Sequence, residues 1–424
     1  MKLLVVSAAS WNTLVGSDTW AELLKNYNPE DIADIAFRDE YPDNSACNNY
    51  FVISEKRIIK SIFKRHTQTG YRVDSKEYIE DNICNTAFHN NLYRNKEKRI
   101  YIKRIIREIV WKLGKWKSKE LDEFIDSFNP DVVLYFMDGY IHLNRVCRYV
   151  KKRAGAKSIG FFVDDTFTYK QSKKIGFKIF RFFQRKSLHK LASDTDMFWA
   201  ITEMTKEEAD KEFGIDCRVV TKPIREKIEY KKYETKFPIK MLYTGKLNIG
   251  RDRTLKKLCE ALKDINRDSI KFCIDVYTNT QVSERVLLGL QYEYLHIHTA
   301  VEQNYISELQ KNADILLFLE DIDGDDALTA RLSFSTKIVR YLSSSKCIFA
   351  IGNIKTAPMQ YFKKNNSALI AESEEDIEKV LKMILEEPGI VEKMAYQAYL
   401  CGKNNHSENK VLGIVDNSIK SLLC

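Results

Sequence analysis

At 424 residues, 44% hydrophobic and 30% charged, the chain is too long for one ordinary core and too apolar for a disordered polymer, so two domains of roughly 200 residues each are expected. No apolar run approaches the ~20 residues that span a bilayer. Nine cysteines, scattered from Cys47 to Cys424 with no C-x-x-C pair, exclude a disulfide framework and a zinc site and read as reduced thiols in a cytosol.

The opening KLLVVSAAS superficially resembles a leader, but its apolar run is too short, and Leu3–Ser7 is read as the first buried strand of an α/β domain. Further strand patterns fall at Ile32–Phe37, Val132–Phe136, Ser158–Val163, Met197–Thr202 and Arg218–Thr221. Helical stretches lie between them, including Gln171–Ala192. This alternation predicts a parallel sheet with helices on both faces. Pro42–Asp81 shows no period and is read as irregular.

Charge is unevenly placed along this half. Lys96–Lys117 holds nine Lys or Arg and two Glu, and Ile102, Ile105, Ile106, Ile109, Val110, Leu113 and Trp116 recur within it at helical spacing. A second basic, aromatic stretch follows at Phe177–Lys186. Two readings fit. The apolar stripe packs on the core under a solvated basic face, or the helices lie on an anionic membrane surface. No nucleic-acid-binding module accompanies the charge, so nucleic acid is not expected as a partner.

The polar stretch Lys222–Lys236 reads as an interdomain linker. Beyond it, six strand patterns (Lys240–Thr244, Phe272–Tyr277, Leu295–His298, Ile315–Leu319, Cys347–Ile351, Ala368–Ala371) alternate with helical ones. The helical patterns are Thr254–Asp264, Ser283–Leu290, Glu302–Asn312, Thr336–Ser343, Ile354–Lys363 and Glu375–Leu385. They predict a doubly wound, Rossmann-like domain. The domain boundaries are placed at 1–222, a linker at 223–238, 239–405, and a C-terminal helix at 406–424 that returns to the first domain.

In open parallel sheets ligands bind beyond the carboxyl ends of the strands. The loop after the first strand of the second domain carries Gly245, Lys246, Gly250, Arg251 and Arg253 just before a helix. Glycines permit close backbone approach, and cations with free helix amides suit a diphosphate. Further on, Ser335 and Thr336 stand at a helix start with Lys337 in its first turn, where a cation opposes the helix dipole unless an anion is bound. Asp321-Ile322-Asp323 matches a D-x-D metal pattern, but a solvated or gating acidic loop is the favoured reading and no metal is expected. In the first domain, Trp11–Ser17, Asp138 and Asp164-Asp165 follow strands. A carboxylate there could take a proton from an incoming hydroxyl or could simply cap its loop. Of adjacent Asp164 and Asp165, only one can point one way. His142 and His189 lie in helical contexts and are read as structural.

YTGKLNIGRDRTLKKL (243–258) and SFSTKIVRYLSSSKCIFAIG (333–352) resemble the C-terminal domain of family-4-type glycosyltransferases of bacterial surface polysaccharides, over Ile239–Leu385. The resemblance implies an α/β, GT-B fold: two Rossmann-like domains facing each other across a cleft. It implies metal-independent, cofactor-free transfer from a UDP- or GDP-type sugar to a hydroxyl of a glycan or polyprenyl-linked glycan, in the cytoplasm at the inner membrane face. It assigns Gly245, Lys246, Arg251, Ser335, Thr336 and Lys337 to the donor diphosphate. Gly16 and Ser17 become the first-domain loop near the donor, and Asp164 or Asp165 the acceptor-side base. The family's acidic pair is absent, with Leu332 and Arg340 in its places. A non-catalytic binding subunit and a nucleotide-sugar 2-epimerase are the alternatives.

Overall fold

The computed structural model describes residues 1–7, 11, 19–37, 39, 46–73, 98–225, 229–280, 289–324 and 326–424, with 98–102 and 303–304 as backbone only. The chain divides into two compact units. The first comprises Met1–Tyr169, Lys173–Val220 and Leu412–Cys424, and the second Lys170–Ser172 and Thr221–Val411.

The first unit is built on an eight-stranded sheet. Its strands are β1 (Leu3–Ser7), β2 (Ile32–Ala36), β3 (Asn49–Ile53), β4 (Gly70–Val73), β5 (Val132–Phe136), β6 (Lys157–Phe162), β7 (Met197–Ala200) and β8 (Cys217–Val219). Their order is β4-β3-β2-β1-β5-β6-β7-β8, parallel except for antiparallel β4 at the edge. β1 and β2 are buried at every position because helices cover both faces, which is why they read as unbroken apolar runs. Trp20, Phe136, Phe161 and Trp199 pack ring against ring, with centroids 4.8 to 6.4 Å apart.

One expectation for this unit needs correction, and one open choice is narrowed. Pro42–Asp81 is not wholly irregular: β3, a helix at Glu55–Phe63 and β4 lie in it. β3 registers Ala33 against Asn49 and Ala36 against Val52. Such pairing is a long-range event that a five-residue run does not announce. In the basic helix, Lys98–Leu113, Trp111 is fully buried and stacks on His142 at 4.7 Å, but Ile105, Ile106, Ile109 and Leu113 are exposed. The apolar stripe is therefore not absorbed by the core.

The second unit carries β9 (Ile239–Thr244), β10 (Phe272–Thr278), β11 (Leu295–Thr299), β12 (Ile315–Leu319), β13 (Cys347–Ile351) and β14 (Leu369–Ala371). They form a wholly parallel sheet in the order β11-β10-β9-β12-β13-β14. Counted from β9 this is the Rossmann order 3-2-1-4-5-6, with its switch point between β9 and β12. One core cluster spans Ile239, Leu255, Phe272, Leu317, Phe349 and Leu381. Helix Glu374–Glu386 starts where the Ser373 side chain accepts from the Asp376 amide, and Thr336–Ser343 starts at a Ser335 cap.

The Ser283–Leu290 helix expected from the sequence falls almost wholly outside the described residues. Helix Gly389–His406, which the sequence reading did not anticipate, buries a stripe of mostly small residues including Ala395, Ala398, Cys401 and Gly402. The stretch 223–238 lies in the second unit, held by the Tyr233 hydroxyl on the Asp314 carbonyl (2.8 Å) and the Thr235 amide on Glu392 (2.7 Å). From Leu412 the last helix, Glu408–Ser421, groups with the first unit, where Arg218 donates to the Ser421 hydroxyl at 3.1 Å.

Candidate functional site

The second unit gathers its chemistry at the switch point. β9 ends in Tyr243-Thr244, and the chain enters a loop that Gly245 opens at φ +145°. The loop closes through Ile249 at φ +55° and Gly250 at φ +77°. The left-handed region is costly for a β-branched residue such as Ile249, and strain of that kind concentrates at functional turns. Gly250 has no side chain to cap helix Arg251–Ile265, whose Arg251 amide donates instead to the Asn248 carbonyl at 3.3 Å.

Three charged side chains meet here. Arg251 donates from Nε to the Leu319 carbonyl at 3.2 Å and from Nη2 to Glu320 Oε1 at 3.0 Å. Burial works against its charge, but the Glu320 carboxylate outweighs this and holds the guanidinium pKa above its usual value. Glu320 is in turn fixed by its backbone, whose carbonyl accepts from the Thr254 hydroxyl at 2.7 Å. Lys337 stands in the first turn of helix Thr336–Ser343. Its ammonium lies 4.4 Å from the Tyr243 ring centroid and donates to the Tyr243 hydroxyl at 3.2 Å. Burial, reinforced by Arg251, pushes the Lys337 pKa down to about 7, against a smaller pull from Glu320. A Cβ at Gly245 would overlap Lys337 Nζ, so the absent side chain is what lets the ammonium reach this place.

The structure thus brings together Gly245, Arg251 and Lys337 of the residues singled out in the sequence. Ser335 caps the same helix, its hydroxyl accepting from the Lys337 amide at 3.4 Å, and Thr336 is exposed beside it. The Lys246 side chain is exposed, while its carbonyl accepts from the Tyr243 hydroxyl at 2.7 Å. Gly16 and Ser17 lie outside the described residues. Sequence reasoning missed Tyr243 and the Arg251–Glu320 pair. Tyr243 and Glu320 were signalled only by lying at the carboxyl ends of the adjacent strands β9 and β12.

The acidic loop, read in the sequence as solvated or gating, is partly buried. Asp321 is buried and accepts from Arg253 at 2.7 Å, and Asp323 accepts from Lys257 at 3.3 Å. These partners hold the D-x-D carboxylates as ion pairs of the loop. Among the described residues no three His, Cys, Asp or Glu side chains gather as a metal would require. Leu332 is fully buried and Arg340 exposed, so an apolar core residue and an outward cation occupy the places of the acidic pair.

In the first unit, carboxylates follow β5 and β6, and β5 borders that sheet's own switch point. Asp165 is buried and accepts from both the amide (2.9 Å) and the hydroxyl of Thr168, which gives it a loop-closing role. Asp164 is exposed. Asp138, after β5, has its pKa raised to about 6, first by burial and then by the Asp164 charge, against support from the Gly139 and Tyr140 amides. Asp138 therefore feels the charge of Asp164, while Asp165 is taken up in closing its own loop. His142 is buried, bonded to Glu108 at 2.7 Å, and burial lowers its pKa; His189 meets Glu212 at 2.9 Å.

No protein-family description matches the sequence, and no curated protein matches it. Solved structures do. Anabaena HepE in complex with UDP superposes with a TM-score of 0.62 at 9% identity, over 99% of this chain and 100% of that one. The apo form of the lipopolysaccharide outer core galactosyltransferase WaaB gives 0.61 at 14% identity, over 99% of each. The pneumococcal O-GlcNAc transferase GtfA, in complex with UDP and GlcNAc, gives 0.51 at 14% identity over 73% of this chain, which spans 61% of that protein's length. At these identities the likeness concerns the backbone, and on that ground the chain, with its two parallel-sheet Rossmann-like units, has the GT-B fold of these glycosyltransferases.

Proposed function

We propose that this protein is a glycosyltransferase that moves a sugar from a UDP- or GDP-type nucleotide to a hydroxyl of a lipid-linked glycan at the inner membrane face, in the making of a surface polysaccharide or glycoconjugate. The observation that carries the reading is the placing of the Lys337 ammonium over Gly245, within reach of the Arg251 charge, at the switch point of the second sheet. A half-buried lysine with a pKa near 7 beside an arginine is poor design for an empty cradle and good design for a dianion. The UDP seen in the structures of HepE and GtfA supports the same choice of ligand.

In this scheme Lys337, Arg251 and the N-terminal end of helix Arg251–Ile265 stabilise the charge that develops on the departing diphosphate. Ser335 and Thr336 supply hydroxyls on the neighbouring helix start, and the Lys246 side chain adds an outer cation. Gly16 and Ser17 keep the role that the family resemblance gives them. Asp164, with Asp138 beside it, takes the proton of the acceptor hydroxyl. The sugar nucleotide is a co-substrate, and the scheme uses no metal or other cofactor.

One observation favours a second reading. Leu332 is buried and Arg340 exposed where the resembled family has its acidic pair, which suits a subunit that binds a nucleotide sugar without turning it over. Thermal stabilisation by UDP, GDP, CMP, ADP and their sugar conjugates tests the proposal. Stabilisation by one nucleoside diphosphate that Lys337→Ala abolishes, together with nucleotide release on adding acceptor, supports transfer. Stabilisation without release supports the binding subunit, and stabilisation by none of them ends both readings.

A further inference from the structure

Two helices of the first unit turn apolar side chains to solvent on purpose-spaced stripes. Helix Ile175–Ala192 buries Phe177, Phe180, Leu188 and Leu191 on one face. On the other, Ile179, Phe182 and Phe183 are 58, 56 and 53% exposed, at i, i+3 and i+4. Helix Lys98–Leu113 does the same with Ile105, Ile109 and Leu113, at i, i+4 and i+8, from 49 to 63% exposed. The two helices touch, and the Arg104 guanidinium reaches 5.9 Å from the Phe180 ring centroid.

The charge on these helices has one sign. Lys103, Arg104 and Lys112 on one, and Lys178 and Lys186 on the other, are all exposed. Helix Ile175–Ala192 contains no acidic residue, and the one acid of Lys98–Leu113, Glu108, is occupied by His142 at 2.7 Å and Arg145 at 3.4 Å. Core packing explains the buried faces and leaves the outer ones unexplained.

We propose that these two helices form a docking surface for an anionic lipid bilayer. The Ile and Phe side chains enter the boundary between headgroups and acyl chains, while the lysines and Arg104 meet lipid phosphates along it. Protruding apolar side chains flanked by long flexible cations fit a fluid anionic surface, where the amine tips reach the phosphates as the stems stay apolar. Why this protein belongs at a bilayer rests on the proposed lipid-linked acceptor. The surface itself rests only on these two helices.

Sedimentation of the full chain with vesicles of phosphatidylcholine, alone or mixed with phosphatidylglycerol, tests the inference. The expected result is binding to the mixed vesicles, weakened by added salt and reduced at least about tenfold by Phe182→Glu with Phe183→Glu. Lys178→Glu with Lys186→Glu should reduce it to a similar degree. Unchanged melting temperatures establish that these exposed variants fold. No vesicle binding by the wild type, binding that the Phe variant leaves intact, or a dimer that the Phe variant dissolves would overturn the proposal. Stabilisation by UDP or GDP is read on the same samples. If the wild type is stabilised by neither UDP nor GDP, the donor reading fails and the bilayer surface stands, and the converse holds equally.

Discussion

The place of a methyl group on Gly245 is taken by the ammonium of Lys337. The two residues are ninety-two positions apart in sequence (337 − 245), yet the ammonium can lie there only because residue 245 lacks a Cβ. Gly245 also sits at φ +145°, which L side chains rarely adopt. Gly245→Ala should therefore cost about 1–3 kcal/mol in denaturant unfolding and push Lys337 off Tyr243. Stabilisation by UDP should disappear with it. A variant that keeps full stabilisation would show that the phosphates sit elsewhere.

The depressed lysine makes a signed pH prediction. Between its folded value near 7 and the ordinary 10.5, the unfolded chain holds a proton that the folded chain lacks. Stability from this group therefore rises with pH across that window, and Lys337→Met should remove the slope. A bound diphosphate reverses the preference. Calorimetry at pH 8 in buffers of different ionisation enthalpy should then show proton uptake on UDP binding, and affinity should fall up to about tenfold per pH unit above 7. Binding without proton uptake would separate Lys337 from the ligand.

Arg251 and Glu320 should respond unequally to truncation. Arg251→Ala leaves a mostly buried carboxylate without its cation, at about 3 kcal/mol, and weakens UDP binding. Glu320→Gln keeps an acceptor for the guanidinium and should cost about 1 kcal/mol. Equal losses in urea unfolding would contradict an ion pair held for the site.

Asp138 and Asp165 are separable by stability and activity together. The folded state holds the Asp138 proton more tightly than the unfolded one, so stability falls as pH rises from the ordinary 3.8 to about 6 and stays reduced above it. Asp138→Asn should then raise stability at pH 7 by about 1–3 kcal/mol. It should also lower transfer at least about a hundredfold. Asp165→Asn loses bonds to Thr168, and should cost about 1–2 kcal/mol of stability. A stabilised, fully active Asp138→Asn would remove Asp138 from the reaction.

Asp323 is exposed and paired only loosely with Lys257. Asp323→Ala should leave UDP stabilisation unchanged, with or without added magnesium. Magnesium-dependent stabilisation that this variant loses would restore the D-x-D motif as a metal ligand.

Much of the fold could be read in the sequence. The runs at Val132–Phe136, Ile315–Leu319 and Cys347–Ile351 coincide with β5, β12 and β13, because buried parallel strands are written as continuous apolar segments. Helix Gly389–His406 escaped notice because small residues do much of its burial, and they carry little hydrophobic contrast. The exposure of Phe182 and Phe183 was left open between two readings, since a helical period shows that a stripe exists and not what covers it.

The sequence by itself determined the alternation of strands and helices and the glycine and cation content of the loops at Gly245 and Lys337. These are local properties, set by side-chain period, turn chemistry and helix capping. Only the tertiary structure decided that Arg251 would meet Glu320 across 69 residues, that Lys337 would be drawn over Tyr243, and that Asp138, from another strand end, would come under the charge of Asp164. Each of those outcomes depends on which strands become neighbours. Strand order is settled by burial and pairing over the whole sheet, and no single segment carries that information.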